Sequence, residues 1–194
     1  MAPWSAEKGE RVSTRSETYA EGAAEQGDHV RRFGLRSHIE SSVYIDAPPE
    51  AVWEVVADVT RSGQWSGECL RCQWLGGATG PVAGARFAGH NEVGRLSWNR
   101  VSEILVAERP RELAWRTMPT GPYRDSTEWR IRLQPDGRGT RLSQDMQVVR
   151  MSRPLEIFLY FVNPPHRDRT AGLLQDLHRL KAFVEGRTTD NTST

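Results

Sequence analysis

The apolar residues near the end of the chain constrain its fold most. Leu173, Leu174, Leu177, Leu180, Phe183 and Val184 recur at steps of three and four, the spacing that lines one face of an α-helix. Arg169, Gln175, Asp176, Arg179 and Lys181 fall on the other face and read as solvated. Asn163-Pro164-Pro165 supplies a capping residue and prolines for a first turn, and Gly186 supplies a stop. The predicted helix, from about Pro164 to Glu185, would be roughly 33 Å long at about 1.5 Å per residue. That is long enough to cross a small sheet. A helix with one apolar stripe must bury it against another layer.

The upstream chain supplies that layer. Ile39, Ser41, Val43 and Ile45 alternate with Glu40, Ser42, Tyr44 and Asp46, the pattern of a half-buried strand. Ala47-Pro48-Pro49 ends it, and a short helix follows over Glu50 to Ala57. Asp58 or Thr60 opens a second short helical turn that reaches Trp65. Six further strands are predicted: Cys69 to Leu75, Gly84 to Asn91, Arg95 to Val106, Arg111 to Met118, Asp125 to Gln134 and Thr140 to Val149. Gly94, Pro110, Thr120-Gly121-Pro122 and Pro135-Asp136-Gly137 punctuate them. Short turns between strands make an antiparallel meander, and one apolar face per strand implies a sheet covered on one side only. Ser152 then caps an apolar segment, Pro154 to Val162, ahead of the long helix.

The chain has 194 residues, 26 basic and 25 acidic, with a net charge of +1. That length fits one domain with tails. The balance gives no electrostatic case for nucleic acid as a partner. No apolar run is long enough for a membrane helix, and the N-terminus lacks the apolar core of a secretory signal, so a cytoplasmic location is expected. Residues 1–36 are poor in apolar side chains and read as a disordered tail, 37–186 as the domain, and 187–194 as a second disordered tail.

The order of strand, two short helices, six strands and a long helix resembles the helix-grip fold of the START-like, or SRPBCC, superfamily. The likeness is strongest to its bacterial polyketide cyclase/dehydrase and lipid transport branch. It is carried by Ile45-Asp46-Ala47-Pro48-Pro49-Glu50-Ala51-Val52-Trp53, Asp58-Val59-Thr60, Gln64-Trp65-Ser66-Gly67-Glu68-Cys69 and Trp74-Leu75-Gly76-Gly77-Ala78-Thr79-Gly80-Pro81. Gly84-Ala85-Arg86-Phe87, Gly89-His90-Asn91, Gly139-Thr140-Arg141-Leu142 and the segment from Leu177 to Val184 add to it. The resemblance implies an α+β fold in which a curved antiparallel sheet of about seven strands grips the last helix. It also implies a cavity between them for a hydrophobic or amphipathic molecule. Some members of the superfamily cyclise or dehydrate aromatic polyketide intermediates.

Candidate ligand-binding residues follow from strand parity. Trp65, Trp98, Trp115 and Trp129 fall on or beside the inner face with Phe87, and read either as core packing or as cavity wall. Asn91, Arg100, Thr127 and Gln144 are polar residues on the same parity. They read either as the polar end of a pocket or as groups that a one-residue bulge turns outward. His90 falls on the outer parity, and His166 in the first turn of the predicted long helix, near the expected cavity mouth.

No Ser-His-Asp signature, HExxH motif or paired carboxylates stand out. The glycines of 76–81 lack the Lys-Ser/Thr and following helix of a phosphate loop. Cys69 and Cys72 form a single CxxC in a predicted strand, which would aim the two thiols at opposite faces. They read as structural thiols, with a redox or metal role as the alternative. The sequence therefore predicts a carrier or sensor of a small hydrophobic ligand, lipid or polyketide-like, with no metal or cofactor. A polyketide aromatase/cyclase or dehydratase using the same cavity is the second reading. The sequence does not fix an oligomeric state.

Overall fold

Alternation along each strand decides which face of a sheet becomes its inside. The computed structural model describes residues 37–119, 124–162 and 167–192. The predicted 1–36 tail, the turn at Thr120-Gly121-Pro122, the cap at Asn163-Pro164-Pro165 and His166 lie outside the described residues.

The chain runs β1 (His38–Ile45), α1 (Pro49–Val56), a 3-10 helix (Val59–Gln64), β2 (Cys69–Trp74), β3 (Arg86–Val93), β4 (Leu96–Glu108), β5 (Glu112–Thr117), β6 (Ser126–Asp136) and β7 (Gly139–Arg150). Helices α2 (Arg153–Val162) and α3 (Thr170–Thr192) follow. The strands form one antiparallel sheet in the order β1-β7-β6-β5-β4-β3-β2. The meander from β2 to β7 is continuous, and β1 adds to its far margin. Gly94 and Gly137 sit at positive φ in the two tightest hairpins, a conformation that a side chain would strain. This is a helix-grip fold, the architecture that the resemblance implies.

Registry lays the inner residues in rows across the sheet. Trp115 lies opposite Trp129, which lies opposite Met146, which lies opposite Ile39. Leu113, Ile131 and Gln144 form the next row, and Leu133, Leu142 and Val43 the one beyond. The outer face instead carries ion pairs between neighbouring strands: Arg116 with Glu128, Arg130 with Glu112, and Arg132 with Asp145. One side of the sheet is thus covered and the other is solvated.

Helix α3 covers the inner side. Leu173, Leu177, Leu180 and Val184 are buried at helical spacing. Each fully buried side chain of this size contributes about 1.5–3 kcal/mol of transfer free energy. Lys181 Nζ donates to the Tyr44 carbonyl at 2.9 Å, and Glu185 accepts from Asp46 N–H at 2.8 Å, fixing the helix along β1.

Four details of the predicted helix change. It starts at Thr170 rather than Pro164, with the Asp168 carboxylate accepting from Thr170 N–H at 3.0 Å. It continues through Gly186 to Thr192. A helical glycine costs only about 1 kcal/mol, and no proline follows to force a stop. Leu174 faces outward, 39% exposed. The polar face is not wholly solvated either, because Arg169 and Asp176 close against the loop before β2.

Candidate functional site: the cavity between sheet and helix

A cavity of about 710 Å³ lies between the inner face of the sheet and helices α2 and α3. Its existence follows from the rows of the sheet. Towards β1 the inner residues are short aliphatics that meet α3 directly. Towards β3 to β6 the sheet curves away from the helix and presents large flat side chains instead. All nine residues picked out by parity border this space: Trp65, Phe87, Asn91, Trp98, Arg100, Trp115, Thr127, Trp129 and Gln144. His90 lies on the other face, where its ring meets Asn99 and Glu92.

Trp115 and Trp129 stack with ring centroids 6.3 Å apart and planes 8° from parallel. Directly opposed strand positions hold side chains at close range, so the register itself imposes the stack. The Arg169 guanidinium lies 5.2 Å from the Trp129 ring centroid. It also pairs with Glu68, tying the start of α3 to the loop before β2. Met146, Val148 and Leu173 continue the apolar wall, and Leu155, Phe158 and Leu159 of α2 close one side. Phe158 is still 53% exposed and Phe161 69%. An apolar helix edge therefore faces solvent beside the cavity.

The polar groups are few and concentrated. Arg100 lies opposite Gly89 on the inner face and is buried. Its Nη1 donates to the Asp125 carboxylate at 2.9 Å, and its Nη2 to the Asp125 carbonyl at 3.0 Å. The pair is largely withdrawn from water, with side chains 9% and 18% exposed. Thr117 Oγ1 accepts from Thr127 N–H at 2.8 Å, and Ser126 Oγ donates to the Thr117 carbonyl, also at 2.8 Å. These bonds pin the bulge at Ser126/Thr127 and so aim Thr127 at the cavity. Trp65 Nε1 and Gln144 Oε1 are buried at the cavity wall without a hydrogen-bond partner among the described residues. Such groups cost free energy unless something in the cavity meets them.

At the rim, Asp176 accepts from Gly67 N–H at 2.8 Å. Burial raises its pKa above the usual carboxylate value, against the opposing pull of that bond and of Arg179. Asp176 thus joins α3 to the loop carrying Ser66, Gly67 and Glu68.

The two cysteines depart from the sequence reading. A bulge between Cys69 and Arg71 adds one residue to β2, so Cys69 lies opposite Asn91 and Cys72 opposite Gly89. Both thiols therefore share the inner face rather than pointing apart, with sulfurs 3.0 Å apart. Asp125 as the partner of Arg100, and α2 as a wall, also escaped sequence reasoning. Asp125 sits 25 residues from Arg100, and no local pattern links them. Among the described residues, no group of three or more His, Cys, Asp or Glu is placed to hold a metal ion.

Residues 36–183 match the family profile described as polyketide cyclase/dehydrase and lipid transport. A protein of Streptomyces cyaneus, named for a suggested polyketide cyclase activity, is 26% identical over 112 residues, 57% of this chain and 73% of the relative. Among solved structures, the polyketide-cyclase-like protein of Corynebacterium glutamicum is 27% identical, with a TM-score of 0.52 over 78% of this chain and 93% of that one. The Zhui aromatase/cyclase of Streptomyces sp. R1128 shares the fold at 20% identity, with a TM-score of 0.59 over 78% of this chain and 94% of that one.

Proposed function

The chain belongs to the polyketide cyclase/dehydrase and lipid transport family, and from that premise we propose that it binds a small hydrophobic or amphipathic molecule in the cavity between sheet and α3, as a carrier or sensor. The observation that carries this reading is the cavity itself: about 710 Å³ with an aromatic wall and a small polar cluster. Sites for small molecules have about 300–1,000 Å³ and this composition. Trp98, Trp115, Trp129 and Phe87 would take the apolar body of a lipid or polyketide-like ligand. Asn91, Thr127, Gln144 and the Trp65 indole N–H would orient its oxygens. The exposed apolar edge of α2 is the natural route for such a ligand to enter. Among the described residues no helix is long and apolar enough to cross a membrane, and a cytoplasmic setting belongs to the same proposal.

The Arg100–Asp125 pair supports placing the binding reading first. The charge of Arg100 is already met by Asp125, so a ligand anion must compete with a resident carboxylate. That favours binding over enolate chemistry. The aromatase/cyclase reading draws support from the Streptomyces cyaneus relative. In it, the cavity would hold a poly-ketone chain folded for attack, while Asn91, Gln144 and Arg100 met developing enolate oxygens.

Native mass spectrometry of the purified protein, followed by denaturing extraction, tests binding. A bound species of a few hundred daltons, lost in Trp98→Ala, is the expected result. A ligand-free mass, together with no thermal shift across a panel of lipids, sterols and aromatic polyketides, would refute the binding reading. Turnover of a linear poly-ketone that fails in Asn91→Ala while binding persists would promote the enzyme reading.

A further inference from the structure

We propose that Cys69 and Cys72 are a redox-active dithiol at the rim of the cavity, oxidised by hydroperoxides to an intramolecular disulfide. The pair exists because of the β2 bulge, which brings both side chains to one face, their sulfurs 3.0 Å apart. Their strand partners, Asn91 and Gly89, are two positions apart. At about 3.4 Å per residue, the two cysteine Cα atoms sit about 6–7 Å from each other. That lies near the outer limit of the range a disulfide spans, about 4.4–6.8 Å. A small tightening of the bulge closes the bond. Gly89 makes the space for it: a Cβ there would stand 3.3 Å from the Cys72 sulfur and 3.4 Å from that of Cys69.

The pair is also reachable. β2 is a margin of the sheet, both cysteines are half-buried, and Cys69 borders the cavity. The two thiols are not equivalent. The hydrogen bond shared by the two sulfurs, with burial, pushes the Cys69 thiol up. The same bond, joined by one from Ser62, lowers the pKa of Cys72 against the opposing effect of its burial. In this proposal the lowered Cys72 thiol attacks, and Cys69, its sulfur 3.0 Å away, resolves.

In the first step the Cys72 thiolate attacks one oxygen of the hydroperoxide. The S–O bond forms as the O–O bond breaks, and the departing alkoxide or hydroxide takes a proton from water. In the second step the Cys69 sulfur attacks the Cys72 sulfenic sulfur. The S–S bond forms, the S–O bond breaks, and the leaving hydroxide takes the Cys69 proton as water. The two sulfurs lose two electrons and the peroxide gains them. A low-molecular-weight thiol reverses the bond by exchange.

The full chain contains only these two cysteines, so thiol counting is unambiguous. Reduced protein would be treated with hydrogen peroxide, quenched with iodoacetamide and weighed intact. The expected product is monomeric, takes up no alkylating agent, weighs about 2 Da less than the reduced protein, and returns to two free thiols with dithiothreitol. Cys69→Ser should stop at a sulfenic acid that dimedone traps, and Cys72→Ser should react at least about tenfold more slowly. Retention of both thiols where free glutathione is fully oxidised would overturn the proposal. So would disulfides found only between molecules, or Cys72→Ser reacting as fast as the wild type. The wild-type measurement holds even if either variant folds poorly.

Discussion

Replacing Asp125 by Asn separates charge from shape at the polar end of the cavity. The Arg100–Asp125 contact is 2.9 Å, and the two side chains are 9% and 18% exposed. Opposite charges about 4 Å apart interact by about 4 kcal/mol at an effective dielectric of about 20. Removing one partner of a buried pair costs about 3–5 kcal/mol, because the other charge is left stranded. Asparagine keeps the Asp125 backbone carbonyl that accepts from Arg100 Nη2 at 3.0 Å, which moderates the loss to about 2–3 kcal/mol. At about 2–4 °C per kcal/mol for a chain of this size, Tm should fall by roughly 4–12 °C. Urea unfolding at neutral pH, followed by far-UV circular dichroism, measures the free energy directly. The double variant Arg100→Met/Asp125→Asn should recover to within about 1 kcal/mol of the wild type, since no charge is then stranded. A loss below about 0.5 kcal/mol in Asp125→Asn, or a double variant no more stable than that single one, would refute the reasoning.

Three other outcomes are expected. Leu177 is fully buried and Leu174 39% exposed, so Leu177→Ala should cost about 2–5 kcal/mol and Leu174→Ala about 0.5 or less; equal losses would contradict the placement of α3. A double-mutant cycle on the stacked Trp115 and Trp129 should give a coupling of about 0.5–1.5 kcal/mol in urea unfolding. Burial raises the Asp176 pKa above its ordinary 3.8, so the folded protein holds that proton more tightly than the unfolded chain. The stability this contributes is present at the acid end and is lost as pH rises through the raised value. Asp176→Asn keeps an acceptor for Gly67 N–H, so its stability relative to the wild type should improve between about pH 4 and about pH 7; a relative decline over that interval would show the sign to be wrong.

Strand parity was legible where strands are regular. Phe87, Trp98, Arg100, Trp129 and Gln144 could be assigned to the inner face because period-two alternation runs unbroken through them. The β4 irregularity falls between Ile104 and Val106, beyond Arg100, and so does not disturb that assignment. The bulge in β2 falls between Cys69 and Arg71, where one extra residue reverses the parity of the thiols. No turn residue marks it, so a strict count of two could not detect it. The Arg100–Asp125 pair was invisible for a different reason: it depends on where β6 begins relative to β4, which is set by tertiary packing. The start of α3 was misplaced because Pro164-Pro165 is as good a helix-opening signal as Asp168-Arg169-Thr170, and local chemistry does not rank the two.

The bulge in β2 and the clamp of α3 on β1 lie at opposite margins of the same sheet. An open margin displays unpaired amide and carbonyl groups, and a strand from a second molecule can extend it indefinitely. In β2 the bulge breaks the even spacing that such an incoming strand needs. In β1 the Tyr44 carbonyl is taken by Lys181, and the amide that follows Ile45 by Glu185. Each margin is thereby interrupted over part of its length, which shortens the run a second strand could pair with beside an apolar cleft and exposed phenylalanines on α2.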